Sequence, residues 1–531
     1  MQSRYLEVES IVKKWKALYK ENILYVCFAF FFTFFLLCSY VFGELGGFQT
    51  AARLFAMLLL TILFTPLSSI FIIKLSRISI KKTKRENILD RIISKLPFNV
   101  ILLFVMHFPM FLAMYPGICY YDIPTQIEQY EKPYFIQNHP LIHTLFLGFF
   151  KNLFPDPNTG YAIATLIQLL LVEVVMAYVV VYIYKQTKAK MLSVITLLFF
   201  GLHPVHSLLP LSTTKDIFFS ICLVVFFIDL KMYFKQETMR KVEYIRLIGS
   251  GVMILLLRNN AKYAFIPAML IIAVMLVIKK QGIKRFLFII LSILVIATIT
   301  NKALVVSLKA TPGSIKEMMS IPAQELGRIY NTIDDEQRKE EIREYIADPE
   351  RYNYYLSDAM KEQLPFEILD SKCKHFLLFT FLRNFEYPII CIDAIFYSVQ
   401  GYWDLFNCPY IEDHFYLVQY PDRWWGGATF DSKIEPLYEL CASLFHTTES
   451  YADQWYIIFI NIALYIWIFL FYFVKGIHEK DNATVYSCLL PLLYLATLLL
   501  GPGAIVRYVY AFFLLAPVMM IESFGKNVDE M

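Results

Sequence analysis

"NVILLFVMHFPMFLAMYPGICYYDIPTQIEQ" (Asn99–Gln129) decides the fold class. Its apolar part, read as a span near 98–115, is long enough to cross a hydrocarbon core of roughly 30 Å. The run stops at Tyr115-Pro116-Gly117, and a carboxylate, Asp122, follows among tyrosines. An ionised side chain where a chain leaves lipid is costly enough to require a partner or a task.

Working outward, eleven comparable runs lie near 22–43, 53–73, 160–184, 191–210, 214–232, 243–258, 261–279, 284–306, 455–475, 483–500 and 503–522. The composition agrees, with 58% hydrophobic, 17% aromatic and only 18% charged residues, against about 25% charged in soluble domains. The sequence predicts an all-α polytopic membrane protein of about 12 transmembrane helices. The net charge of +4 forms no single basic patch, so no nucleic-acid partner is expected. Nine cysteines without C-x-x-C spacing give no zinc cluster or disulfide framework. The charged N-terminus has no small-residue cleavage site and reads as leading into a retained signal anchor.

Basic residues sort by loop. Lys13, Lys14, Lys16 and Lys20 precede the first span, and Lys74, Arg77, Lys81, Lys82, Lys84, Arg85, Arg91 and Lys95 follow the second. Later clusters are Lys185/Lys188/Lys190, Lys231/Lys235/Arg240/Lys241 and Lys279/Lys280/Lys284/Arg285. Twelve spans put all of them on one face, expected to be cytoplasmic, with both termini inside. The opposite face of the cell membrane then receives 116–159 and 307–454. Within the first loop, "NHPLIHTLFLGFFKNLF" (138–154) reads as a helix in the outer interface, with Pro140 in its first turn. The second segment is acidic, helix-prone and long enough for a small external domain. The chain thus divides into a membrane part (1–306), an external domain (307–454) and closing membrane helices (455–531).

Asp122 is the first candidate for chemistry. Many loop aspartates only cap a helix, but Pro116, Gly117 and Pro124 stiffen the backbone here. Tyr120 and Tyr121 offer an aromatic floor for a sugar ring, and Gln126, Gln129, Asn138 and His139 offer groups that suit hydroxyls. Three external span mouths carry a cation: Lys215 beside Asp216, Arg258 with Lys262 nearby, and Arg507. Each alone reads as a cap or a snorkelling side chain; together they point to an anionic group at the outer leaflet. Gln324 and Arg328, one turn apart in "SIPAQELGRIYN", fit either an amphipathic helix or a ligand site. Glu173 and His107 lie deep in spans and read first as a polar lock, second as a proton path. No G-x-S-x-G, H-E-x-x-H, G-x-x-x-x-G-K-[ST] or haem signature occurs.

The order of these pieces resembles the GT-C superfamily of polytopic membrane glycosyltransferases, of the protein-mannosyltransferase type. It is also similar to an uncharacterised bacterial family of large multi-pass membrane proteins. The residues that carry the likeness are Pro116-Gly117, Asp122, Gln126, His139-Pro140, Lys215-Asp216, Arg258-Asn259, Ile321-Pro322, Gln324, Arg328 and Arg507-Tyr508. The resemblance implies transfer of a sugar from a polyprenyl-phosphate donor to a hydroxyl of a cell-envelope acceptor (polymer, lipid or protein). Asp122 would be the catalytic base; Lys215, Arg258 and Arg507 would bind donor phosphate. Tyr121, Gln126, His139, Gln324 and Arg328 would bind sugar or acceptor. Many relatives pair two acids in this loop, whereas Ile123 follows Asp122 here, so a divalent metal lacks support and no cofactor is expected. A transporter or flippase for lipid-linked sugars, using Glu173 and His107, is the alternative from another class. A non-catalytic scaffold for the external domain is a third, and it leaves the cations at the span mouths unexplained.

Overall fold

The computed structural model describes residues 19–78, 93–120, 122–235, 239–280, 282–407, 427–445 and 457–524. Tyr121 and the basic residues of 79–92 lie outside the described residues. Among the described residues the regular structure is helical, with two isolated parallel bridges, Ile118 to Ser212 and Ile136 to Thr311.

Among the described residues, eight helices are long and apolar enough to cross a membrane: Ile23–Glu44, Ala51–Ser76, Leu96–Ala113, Pro157–Thr187, Lys215–Phe234, Ala261–Ile278, Ile283–Ser307 and Val506–Phe524. The run expected as one span at 191–210 is two helices, Lys190–Leu202 and Pro204–Leu211, bent by 60°. The break follows from Pro204, whose missing N–H and ring interrupt the ladder. His203 there turns extended, and its Nδ1 accepts the N–H of Val205 at 3.3 Å. The run at 455–475 is likewise interrupted at Asn461, whose side chain caps Ile462–His478 through the Ala463 N–H at 2.8 Å. Lys241–Leu257, Ile462–His478 and Asn482–Leu498 have 17 residues each. The protein is an all-α, multi-pass membrane protein.

Burial sorts the helices into centre and rim. The best-packed window of Val506–Phe524 is 83% buried, and those of Lys215–Phe234 and Pro157–Thr187 are 72% and 67%; Ile283–Ser307 reaches only 22%. The three central helices pack on one another, while Phe55, Leu63, Leu67, Phe288 and Ile299 on rim helices stay exposed, as lipid-facing side chains must. One central helix begins at the candidate site residue Lys215, and another carries Arg507 as its second residue. The well-packed middle of the bundle therefore carries two of the candidate residues.

The loop after Leu96–Ala113 folds into two helices, Asp122–Glu131 and Leu141–Leu153. Pro140, expected inside the second, instead precedes it as the N-cap residue. A second apolar cluster gathers Met319, Leu326, Ile342, Met360, Leu364 and Phe376, so the segment after 307 has a small core of its own. From Tyr397 the chain rejoins the main core: Tyr397, Tyr402 and Trp403 pack there, with Phe42 and Phe396 stacked at 5.5 Å.

Candidate functional site

The backbone brings Asp122 to Lys215. Pro116 and Gly117 turn the chain off the Leu96–Ala113 helix, and Ile118 N–H then bonds to Leu211 O at 2.9 Å. The approach is close enough that a Cβ on Gly117 (φ +147°) would collide with Thr165 and Tyr161. The segment it meets is held from the other side, since Gln168 Nε2 donates to Pro210 O at 2.7 Å and to Ser212 O at 2.6 Å. The Tyr161 hydroxyl lies 2.5 Å from Thr213 Oγ1. Asp122 opens one short helix and Lys215 opens a long one, and these bonds set the two starts side by side.

Around Asp122 the cations converge. Lys215 Nζ donates to Asp122 Oδ2 at 2.7 Å and lies 3.2 Å from His139 Nδ1. Arg507 Nη1 is 3.6 Å from the same carboxylate oxygen. Burial opposes ionisation of Asp122, but Lys215, Arg507 and then His139 together hold its carboxyl well below the usual carboxylate range. Burial and the adjacent Lys215 ammonium push His139 down to about 4, so its imidazole is neutral at pH 7.

A second pair adjoins the first. Asp216 is ion-paired to Arg258 Nη1, and its other oxygen is 3.8 Å from Arg507 Nε. Both guanidiniums lie against the Tyr508 ring, Arg258 at 4.6 Å and Arg507 at 5.1 Å from its centroid. Arg258 also faces Tyr494 at 5.2 Å, and Arg507 faces Tyr120 at 5.0 Å. Lys215, Arg258 and Arg507 thus surround two carboxylates, Asp122 and Asp216, leaving one positive charge in excess. Arg507 Nε and Nη1 and Arg258 Nε make no hydrogen bond among the described residues. Donors on buried guanidiniums with an unbalanced charge suit an oxyanion such as a phosphate.

The other sequence-predicted residues divide. Gln126 is turned inward: its Oε1 is 2.7 Å from His143 Nδ1 and accepts from the Thr144 hydroxyl at 3.4 Å, joining the two loop helices. Its burial makes it a strut under the site, one turn beyond Asp122. Gln324 and Arg328 stand apart, on the Ser320–Tyr330 helix, with no ion pair or hydrogen bond to the Asp122 cluster among the described residues. His107 and Glu173 face each other in the membrane, Nδ1 to Oε1 at 3.4 Å, with His107 Nε2 3.1 Å from Phe200 O. Tyr121 lies outside the described residues.

Sequence reasoning undervalued three residues. In the sequence Asp216 stands out only as the neighbour of Lys215, yet it links both arginines. Tyr508 supplies the ring they share. Asn259 donates to Gln137 O at 2.6 Å and so fixes the strip before His139. The signal for all three was adjacency to a predicted cation.

A family model described as a family of unknown function (DUF6020) matches residues 49–530. The chain belongs to this family. Its match spans every site residue named above, from Asp122 to Tyr508. No curated protein and no solved structure matches the chain.

Proposed function

We propose that the protein is an integral-membrane glycosyltransferase of GT-C type. It would move a sugar from a polyprenyl-phosphate donor to an acceptor hydroxyl on the outer face of the cell membrane. The observation that carries this reading is the convergence of Lys215 and Arg507 on Asp122, with Arg258 and Asp216 adjoining. The pattern of basic loops supports twelve spans, both termini in the cytoplasm and 307–454 outside.

In the proposed step the acceptor oxygen attacks the anomeric carbon while the bond from that carbon to the phosphate oxygen breaks. The electron pair leaves on the phosphate, and the acceptor proton passes to Asp122. Direct displacement inverts the anomeric centre. Lys215, Arg258 and Arg507 stabilise charge growing on the departing polyprenyl phosphate. A carboxylate held by Lys215 is a poor base, so the donor itself has a part. Its phosphate competes for Lys215 and Arg507, weakening their hold on Asp122 and raising its basicity as the donor arrives.

The buried His107–Glu173 pair is the observation that favours the second reading, a transporter or flippase for lipid-linked sugars. One experiment separates the two. Purified protein in proteoliposomes is given a radiolabelled short-chain polyprenyl-phosphate sugar together with envelope extract. Release of polyprenyl phosphate with formation of an inverted glycoside supports transfer. Movement of intact donor across the bilayer, abolished by Glu173→Gln, supports transport and overturns the transferase reading.

A further inference from the structure

Arg328 lies in the outer unit, away from the Asp122 cluster. Its side chain belongs to a residue only 7% exposed, yet among the described residues it makes no hydrogen bond and no ion pair. Its neighbours are rings: the guanidinium carbon is 4.7 Å from the Tyr354 centroid and 5.4 Å from that of Tyr397. Two other polar atoms beside it are buried without a partner, Gln324 Oε1 and the Tyr352 hydroxyl. Tyr352 packs against Gly327 and meets Tyr354 edge-on at 5.1 Å, and Gln324 Nε2 donates to Asn353 O at 2.7 Å, so all belong to one cluster.

Two acids lie in the surroundings of Arg328, and both carboxylates are committed elsewhere: Glu325 accepts from Asn384 Nδ2 at 3.0 Å, and Asp393 caps a backbone turn. Its oxygens accept the N–H groups of Phe48 at 2.8 Å and Gln49 at 3.0 Å. A guanidinium is always charged at physiological pH. Burying it on tyrosine faces alone recovers part of its lost hydration and leaves its forked donors unused.

We propose that this cluster is a binding site for an anionic sugar, a saccharide unit bearing a carboxylate or a phosphate. The guanidinium fork takes two oxygens of the anion. Tyr354, 43% exposed, offers a ring face to the apolar face of a sugar, which a bare inorganic anion would not use. Gln324 Oε1 and the Tyr352 hydroxyl, both buried without a partner among the described residues, supply an acceptor and a donor for ring hydroxyls. The segment after Tyr354 also leads back to the first site. Ser357 N–H bonds to Pro502 O at 2.8 Å, on the loop that leads into Arg507. The acceptor polymer is the natural source of such a sugar; that use rests on the transfer reading above, whereas the binding itself does not.

Ligand-observed NMR on the full chain in detergent micelles tests it, with glucuronic acid, glucose 6-phosphate, glucose and inorganic phosphate as probes. Wild type binds at least one anionic sugar more tightly than either glucose or phosphate. Arg328→Gln weakens that binding about tenfold or more, and Tyr354→Ala weakens it severalfold, with thermal melting showing that each variant is folded. No turnover is read, so failure here is distinct from failure of the transferase proposal. Equal binding by wild type and Tyr354→Ala, or no preference of wild type for the anionic sugars over both glucose and phosphate, overturns it.

Discussion

Lys215 Nζ donates to Asp122 Oδ2 across 2.7 Å, joining the first residue of a loop helix to the first residue of a central membrane helix. This contact both quenches the carboxylate and marks where an incoming phosphate would act. Replacing Lys215 by Gln should therefore have two effects. Donor affinity falls about tenfold, the loss expected for a hydrogen bond to a charged group, and the acid limb of the transfer rate moves to higher pH. Donor titration and a pH–rate profile measure both; an unchanged acid limb would show that Lys215 does not set the state of Asp122.

Arg507→Ala should weaken donor binding more than Arg507→Lys does. A guanidinium can hold two phosphate oxygens while resting on Tyr120 and Tyr508, and an ammonium keeps only the charge. Equal donor affinity in wild type and the Ala variant removes Arg507 from the phosphate site.

Arg258 and Asp216 form a buried pair, so breaking it from one side leaves an uncompensated charge. Arg258→Met alone should cost about 3–5 kcal/mol of stability, and adding Asp216→Asn should restore part of the loss. Thermal melting of the detergent-solubilised protein checks this. A single variant as stable as wild type would mean that the pair is open to water.

The pH dependence follows from the direction of two shifts. The Asp122 carboxyl is lowered on folding, so its stabilising contribution is complete above the unfolded value of about 3.9. That contribution is lost only as pH falls through the lower folded value. His139, pushed down to about 4, binds a proton less readily when folded and opposes folding only as pH drops below its ordinary value of about 6.5. Between pH 7 and 9 neither group changes charge, and a melting-temperature profile over that window should be the same for wild type and His139→Gln. A titration near neutrality that disappears in the variant would contradict the neutral imidazole.

The membrane class and the residues of the charged cluster were legible in the sequence for physical reasons. Hydrocarbon thickness fixes span length, and Lys215, Arg258 and Arg507 stand out as single cations at the ends of apolar runs, away from the clustered basic loops. Their convergence was not legible, since it depends on Gly117 touching the Pro157–Thr187 helix and on Gln168 holding the 210–212 carbonyls. The inward turn of Gln126 was not legible, because helix position alone does not tell an inward amide from an outward one; its Oε1 partner, His143, sits on the next helix. The break at His203-Pro204 carried a readable signal, the residue before proline being pushed from helical geometry. The aromatic packing of Arg328 on Tyr354 and Tyr397 joins residues far apart in the chain, and no local pattern announces it.

Asp122→Asn addresses the central claim most directly. Asn retains the shape and caps a helix start as well as Asp does, but it cannot take a proton at useful pH. Sugar transfer from polyprenyl-phosphate donor is measured in purified membranes, with protein level and donor binding followed in parallel. The account predicts donor binding retained and transfer lowered by about 10²–10⁴-fold. Transfer near the wild-type rate by a folded Asn variant would contradict it and return Asp122 to a structural role.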